Sequence, residues 1–401
     1  MLLVDLRIMR IFVSTGEVSG DLQGSLLVEA LFQQATHQGI DLEIVGLGGE
    51  RMAKAGVKLL ANTAAIGSVG LLESLRFVLP TWQIQQKVKV YLQQHPVDLL
   101  ILIDYMGPNV AIGNYVRQQL ASLPILYYIA PQAWIWSPTA GNTQQLLNIT
   151  DRLLAIFPEE AKFFAARGID VAWVGHPLID RIAKAPSREQ ARTTLEISAE
   201  QLVVTLLPAS RLQELKYLLP VICEAAQQLQ QTLPDIQFYL PISLDAYRDQ
   251  IETTVKNYGL NVTLLQRSTL EAIAAADLAI TKSGTVNLEI ALLKVPQVVL
   301  YRVSPLTMWV ARKILKFNIP FVSPPNIVMQ RAIVPELLQE TATSERICQE
   351  SLAFLTQPER RQTILDDYHQ LKKALGETGV CDRAAQEILA FAQNPSKSKA
   401  G

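Results

Sequence analysis

The stretch Ser14-Thr15-Gly16-Glu17-Val18-Ser19-Gly20-Asp21 places two glycines, three hydroxyl side chains and two carboxylates between an apolar run and an amphipathic one. Gly16 and Gly20 permit a tight turn and close approach of the backbone to a ligand, and Ser19 or Asp21 can cap the helix that follows. Amide groups at such a helix start hold phosphate or a sugar hydroxyl. Because Glu17 and Asp21 repel phosphate, this loop suits sugar hydroxyls better. A capped turn with no ligand is the plain alternative.

Further along, Asp104 follows the apolar run "LLILI", where a half-buried carboxylate at a strand end can serve as a general base or simply cap the next helix. Ser210 and Arg211 open another helix in "LLPASRLQEL", and a guanidinium beside oriented amides suits a diphosphate. Ser283, Gly284 and Thr285 open a third in "ITKSGTVNLEIAL". There Glu289 stands one turn along the same face, where a carboxylate can accept both hydroxyls of a ribose. Each feature alone is matched by a bland one: a surface arginine, a capped helix, a solvated glutamate. Two anion-binding helix starts in one half of the chain, with a carboxylate one turn on, favour a nucleotide-sugar site. Trp134 and Trp136 can stack on a sugar, line an acyl groove or pack in a core.

The four histidines have no paired spacing and no Asp-x-Asp pair ends a strand, so no metal is expected. Phosphate charge would then fall to Arg211 and the helix dipoles. No G-x-G-x-x-G follows the first strand and no P-loop is present, so no nucleotide cofactor is expected either.

These residues need strands to position them. "RIFVST", "LEIVGLG", "DLLILID", "ILYYIA", "RLLAIF" and "VAWVG" are apolar with little alternation, as strands buried on both sheet faces are, and helical patterns fill the gaps. One helix is expected to begin at Asn109, in "NVAIGNYVRQQLA". The pattern turns polar around "KAPSREQARTTLEISAE". A second series follows: "LVVTLLP", "IQFYLP", "VTLLQ", "DLAITKSG" and "QVVLYR". The expected class is α/β with two Rossmann-like domains, residues 1–183 and 201–365, joined by a linker at 184–200. Their facing strand ends would leave a ligand cleft.

Composition agrees with this. The 401 residues exceed one ordinary core, and 49% hydrophobic against 18% charged residues excludes a disordered chain. A net charge of −1 gives no footprint for nucleic acid, which is not expected as a partner. Three scattered cysteines fit a reducing compartment, and no apolar run reaches the roughly 20 residues of a membrane span. Charges at Asp5, Arg7 and Arg10 interrupt any signal-peptide core, so a cytoplasmic location is expected; whether Met1 or Met9 is the start stays open.

Taken together, the motifs resemble the lipid-A-disaccharide synthase family of glycosyltransferases, and the resemblance runs through nearly the whole chain. "GEVSGD" is similar to that family's Gly-Glu-x-Ser-Gly-Asp opening, and "LIDYMGPN" to its Ile-Asp-x-Pro-Asp-Phe-Asn. "GSVGLLESL", "IAPQAWIW", "VGHPLID", "LLPASR", "KSGTVNLE" and "FVSPPNI" occur in family order. The resemblance implies the glycosyltransferase type B fold, with C-terminal helices at 366–395 returning to the first domain. It also implies an inverting transfer from UDP-2,3-diacylglucosamine to 2,3-diacylglucosamine 1-phosphate, releasing UDP. Asp104 matches the aspartate considered as base and Arg211 the essential arginine. Glu17, Ser19, Gly20, Asp21, Ser210, Ser283, Gly284, Thr285, Glu289 and Asn326 fall at substrate-binding positions. Three positions depart from the pattern: Ala209 replaces a glycine, Met106-Gly107-Pro108 removes the second aspartate, and no arginine follows Trp136.

A lipid acceptor implies peripheral contact with the inner-membrane surface. The segment Ile66 to Trp82 has only Glu73 and Arg76 charged, and Val69, Leu71, Leu72 and Phe77 would face lipid if it forms an interfacial helix; a core helix reads equally well. A homodimer is implied by the resemblance alone. Two other readings remain open at this point: another UDP-sugar transferase or epimerase of the same fold, and a sugar-binding homologue without catalysis.

Overall fold

The computed structural model describes residues 8–16, 18–63, 78–131, 134–135, 140–209, 212–242, 245–266, 268–304, 308–309 and 319–395. The chain forms two compact units, one of residues 1–180 with 375–401 and one of residues 181–374.

In the first unit the described strands are β1 Met9–Ser14, β2 Leu42–Gly48, β3 Lys58–Asn62, β4 Leu99–Ile103, β5 Ile125–Tyr128, β6 Arg152–Ala155 and β7 Asp170–Trp173. They form one parallel sheet in the order β3-β2-β1-β4-β5-β6-β7. All five residues of β4 are fully buried, and β5 is buried throughout. Helices covering both faces explain the unbroken apolar runs, and burial of each Leu or Ile contributes about 1.5–3 kcal/mol. The second unit repeats the pattern with β8 Val203–Leu207, β9 Gln237–Ile242, β10 Val262–Gln266, β11 Leu278–Lys282, β12 Gln297–Tyr301 and β13 Glu336–Leu338. Its order is β10-β9-β8-β11-β12-β13, again parallel. Both sheets are doubly wound. The strand order reverses between β1 and β4 in one and between β8 and β11 in the other, which is where this class of sheet binds ligands.

Two strands were not expected from the sequence, β3 and β13. Both lie at sheet edges and are short; β3 is largely accessible, so neither carries a fully buried apolar run. The helix expected from Asn109 instead spans Met106–Gln119. Pro108 lies in its first turn, where the missing N–H has no partner within the helix to lose.

The polar stretch 184–200 contains the helix Arg188–Thr194. Arg192, 5% exposed, donates to the carbonyls of Ala275, Ser198, Ala199 and Gln201 and pairs with Asp277 at 3.0 Å. Arg188 meets the other oxygen of Asp277 at 2.7 Å, so this stretch is packed into the second unit. The chain re-enters the first unit at Leu375, and the helix Val380–Gln393 packs on the helix Val18–Gln38. Asp180 fixes its start by accepting from the backbone N–H of Gly379 at 2.6 Å and Cys381 at 2.8 Å. Arg152 on β6 holds its middle through Glu387 at 2.5 Å.

Candidate active site

Asp104 immediately follows β4, beside the point where the first sheet reverses order. Asp104, Tyr105 and Ile129 all have left-handed backbones, with φ of 47°, 45° and 59°. Such residues cost on the order of 1–3 kcal/mol each and persist where the surroundings over-determine them. Here they do. The Asp104 N–H donates to the carbonyl of Ile129 at 3.0 Å. Its carbonyl accepts from the Tyr127 hydroxyl at 2.7 Å and from Asn109 Nδ2 at 2.9 Å. Asn109 Nδ2 also reaches the carbonyls of Ile103 at 3.0 Å and Ser14 at 3.3 Å, and its Oδ1 accepts from Ser14 Oγ at 2.7 Å. Asn109 and Tyr127 are fully buried. Burial, then the charge of Asp104, pushes the Tyr127 phenol far above its usual range, so it stays a donor.

The opening loop meets the same segment. A methyl group on Gly16 would lie 1.9 Å from the Tyr105 ring, so this glycine is required by close packing, and one on Gly20 would lie 2.0 Å from Thr15 Oγ1 and force that hydroxyl to turn away. Ser19 is half-buried in the first turn of the helix. Glu17 lies outside the described residues. Asp21 does not act as expected, either as a sugar ligand or as a cap of its own helix. It is 5% exposed, and its Oδ1 accepts from the N–H of Gly49 at 2.7 Å and Met52 at 3.1 Å, with Oδ2 taking Arg51 at 3.2 Å. It caps the neighbouring helix Glu50–Lys54, whose orphan N–H groups need an acceptor.

Glu160 and His176 are buried titratable groups of the same unit. Glu160 accepts from the N–H of Ala130 at 2.9 Å, Ile156 at 2.9 Å and Phe157 at 3.2 Å. Burial pushes its carboxyl up to about 7; the three donors hold it back and Asp104 adds to the rise. His176 is pushed down to about 3 by burial, and its Nδ1 accepts from Leu178 N–H at 3.2 Å. Phe157 lies between these groups and Trp134, with ring centroids 5.3 Å from His176 and 5.7 Å from Trp134. Trp134 therefore packs within the unit, and Trp136 lies outside the described residues.

In the second unit Ser283, Gly284 and Thr285 follow β11, beside that sheet's reversal point. Most of the donors expected to cradle phosphate are already engaged. Ser283 N–H donates to Leu300 O at 2.8 Å, Ser283 Oγ to Val322 O at 2.7 Å, and Gly284 N–H to Asn287 Oδ1 at 2.7 Å. Thr285 occupies the cap position, and its side chain makes no capping bond. Glu289 is 6% exposed and faces Arg181 Nη1 at 2.8 Å, a partner the sequence did not suggest.

Asn326 is a correction. It is buried, and its Nδ2 donates to Val334 O at 3.0 Å and Glu336 Oε1 at 2.7 Å while its Oδ1 accepts from Ile333 and Val334 N–H. An amide with two donors and two acceptor sites so used braces the 322–336 turn and does not face a ligand. Ser210, Arg211, Val69, Leu71, Leu72 and Phe77 lie outside the described residues.

Sequence reasoning overlooked Asn109 and Tyr127 as holders of Asp104, since one read as a helix start and the other as a core aromatic.

Comparison with known proteins fits this geometry. The family model described as lipid-A-disaccharide synthetase matches residues 11–391. A lipid-A-disaccharide synthase of Synechocystis sp. is 66% identical over 370 residues, covering 92% of this chain and 94% of that protein. One from Prochlorococcus marinus is 46% identical over 372 residues, covering 92% and 95%. Among solved structures, the UDP-GlcNAc 2-epimerase of Neisseria meningitidis bound to UDP-GlcNAc has a TM-score of 0.61 at 14% identity, covering 95% of this chain and 100% of that one. The calicheamicin glycosyltransferase CalG4 has a TM-score of 0.59 at 13% identity, covering 97% and 100%. The structural neighbours establish the fold alone, two Rossmann-like units of the glycosyltransferase type B class, shared by epimerases and transferases. The sequence match decides between them: this chain belongs to the lipid-A-disaccharide synthetase family.

Proposed function

We propose that this protein transfers the sugar of UDP-2,3-diacylglucosamine to the 6-hydroxyl of 2,3-diacylglucosamine 1-phosphate. The products are the β-1,6-linked disaccharide 1-phosphate of lipid A biosynthesis and UDP. The observation that carries the proposal is Asp104, fixed in a strained backbone at the reversal point of the first sheet in a chain of this family. As the acceptor oxygen bonds to the anomeric carbon, its proton passes to the Asp104 carboxylate, and the bond from that carbon to the diphosphate breaks with inversion. Met106-Gly107-Pro108 leaves Asp104 the sole carboxylate of its motif. Arg211 stabilises the departing diphosphate, Thr285 holds phosphate, and Glu289 holds the ribose. Glu17, Ser19 and Gly20 form the acceptor-side turn.

Purified protein incubated with both substrates should release UDP and form the disaccharide, and absence of both products overturns the proposal. Asp104→Asn should lower turnover by about 100-fold or more while leaving UDP affinity within about twofold, since the base acts on the acceptor. Near-normal turnover in that variant would remove Asp104 from the mechanism.

The lipid substrates place the reaction at the inner-membrane surface, reached from the cytoplasm. Among the described residues no helix is long and apolar enough to cross a membrane. The helix Val78–Gln94 instead begins with Val78, Leu79 and Trp82 exposed at 57%, 70% and 56%, which supports peripheral contact through its first turns.

A further inference from the structure

We infer that Lys282 binds the diphosphate of the donor and that Glu214 is the counterion it gives up in doing so. The inference rests on reading the second unit as the UDP-sugar unit. Lys282 ends β11 beside the sheet's reversal point, directly before Ser283, Gly284 and Thr285. Its ammonium lies over the loop: a methyl group built on Gly284 would sit 2.9 Å from Nζ. The same Nζ lies 3.5 Å from Oε1 of Glu214, in the first turn of the helix Leu212–Thr232, with side chains only 16% and 21% exposed.

Two observations separate this from a structural ion pair. A charge-assisted N–H···O bond settles at about 2.7–2.9 Å, and the contact of Lys282 with Glu214 is longer, at 3.5 Å. Three of the loop's donors are also spent: Ser283 N–H, Ser283 Oγ and Gly284 N–H are bonded within the unit. Negative charge arriving there meets few donors from the loop itself beyond Thr285, and the Lys282 ammonium lies over the same turn. A diphosphate carries more charge than one carboxylate and so displaces Glu214 as its partner. Glu214 thereby opposes donor binding, and the two partners of one ion pair should act on affinity with opposite signs.

Titration calorimetry of UDP and of uridine into the full-length protein, with a chelator present, tests this. Lys282→Ala should weaken UDP by about 10- to 100-fold and leave uridine unchanged, since only the diphosphate contact is lost. Lys282→Arg, which keeps the charge, should stay within about fivefold. Glu214→Gln, nearly isosteric, should tighten UDP by about two- to fivefold. Unchanged UDP affinity in Lys282→Ala, or weaker UDP binding in Glu214→Gln, overturns the inference. If the unaltered protein binds no UDP, the reading of the second unit fails instead.

Discussion

At the scale of single residues, Glu160 and His176 make the first unit's stability depend on pH in opposite senses. The carboxyl of Glu160 rises from its ordinary 4.5 to about 7, so its contribution is fully present below pH 4.5 and is lost as pH climbs to about 7. The imidazole of His176 falls from 6.5 to about 3, so its contribution is present above pH 6.5 and is lost as pH drops toward 3. Between pH 4.5 and 6.5 the two slopes, each at most about 1.4 kcal/mol per pH unit, nearly cancel. Glu160→Gln should therefore leave a protein whose urea midpoint falls on acidification from pH 6.5 to 5. His176→Gln should leave one whose midpoint rises from pH 7 to 5. Parallel pH dependence in the two variants would show that the burial of these groups is not what sets their protonation.

At the scale of elements, the carboxyl ends of β4 and β5 are locked together by the reciprocal bonding of Asp104, Tyr127 and Asn109. In the proposed mechanism Tyr127 is a positioning residue, since its hydroxyl touches the main chain of Asp104 and its ring lies in the core. Loss of one such bond is worth about 1.5 kcal/mol, or roughly tenfold in rate where it sets the geometry of the base. Tyr127→Phe should lower kcat by about tenfold with the KM for UDP-sugar within about twofold. Reduced thermal stability with unchanged kcat would mean the bond serves only the fold. The expectation that strands of each unit form a doubly wound sheet was legible because buried parallel strands must be continuously apolar. The clamp was not legible: its bonds join Ser14 to Asn109 across 95 residues, and only the β1–β4 pairing brings them together.

At the scale of the whole molecule, the proposed lipid substrates would make a membrane surface the partner. Leu79→Ser with Trp82→Ser, both exposed, should leave the fold and UDP affinity unchanged while reducing flotation with vesicles of anionic phospholipid by about tenfold or more. Unchanged flotation would remove this helix from the contact. The sequence by itself determined the α/β class, the family and the positions where chemistry is concentrated, because each is written in local patterns: apolar runs, turn residues and short ordered motifs. The tertiary structure alone decided which of those positions face inward. Asp21 and Asn326 carry the same groups whether they bind sugar or brace a turn, and the arriving backbone N–H groups of residues 49, 51 and 52 and of residues 333 and 334 engage them. The opening loop, which read as a sugar-binding turn with two carboxylates, is held in place by one of them. A side chain's type fixes what it can bond, and the packing of distant segments fixes what it does bond.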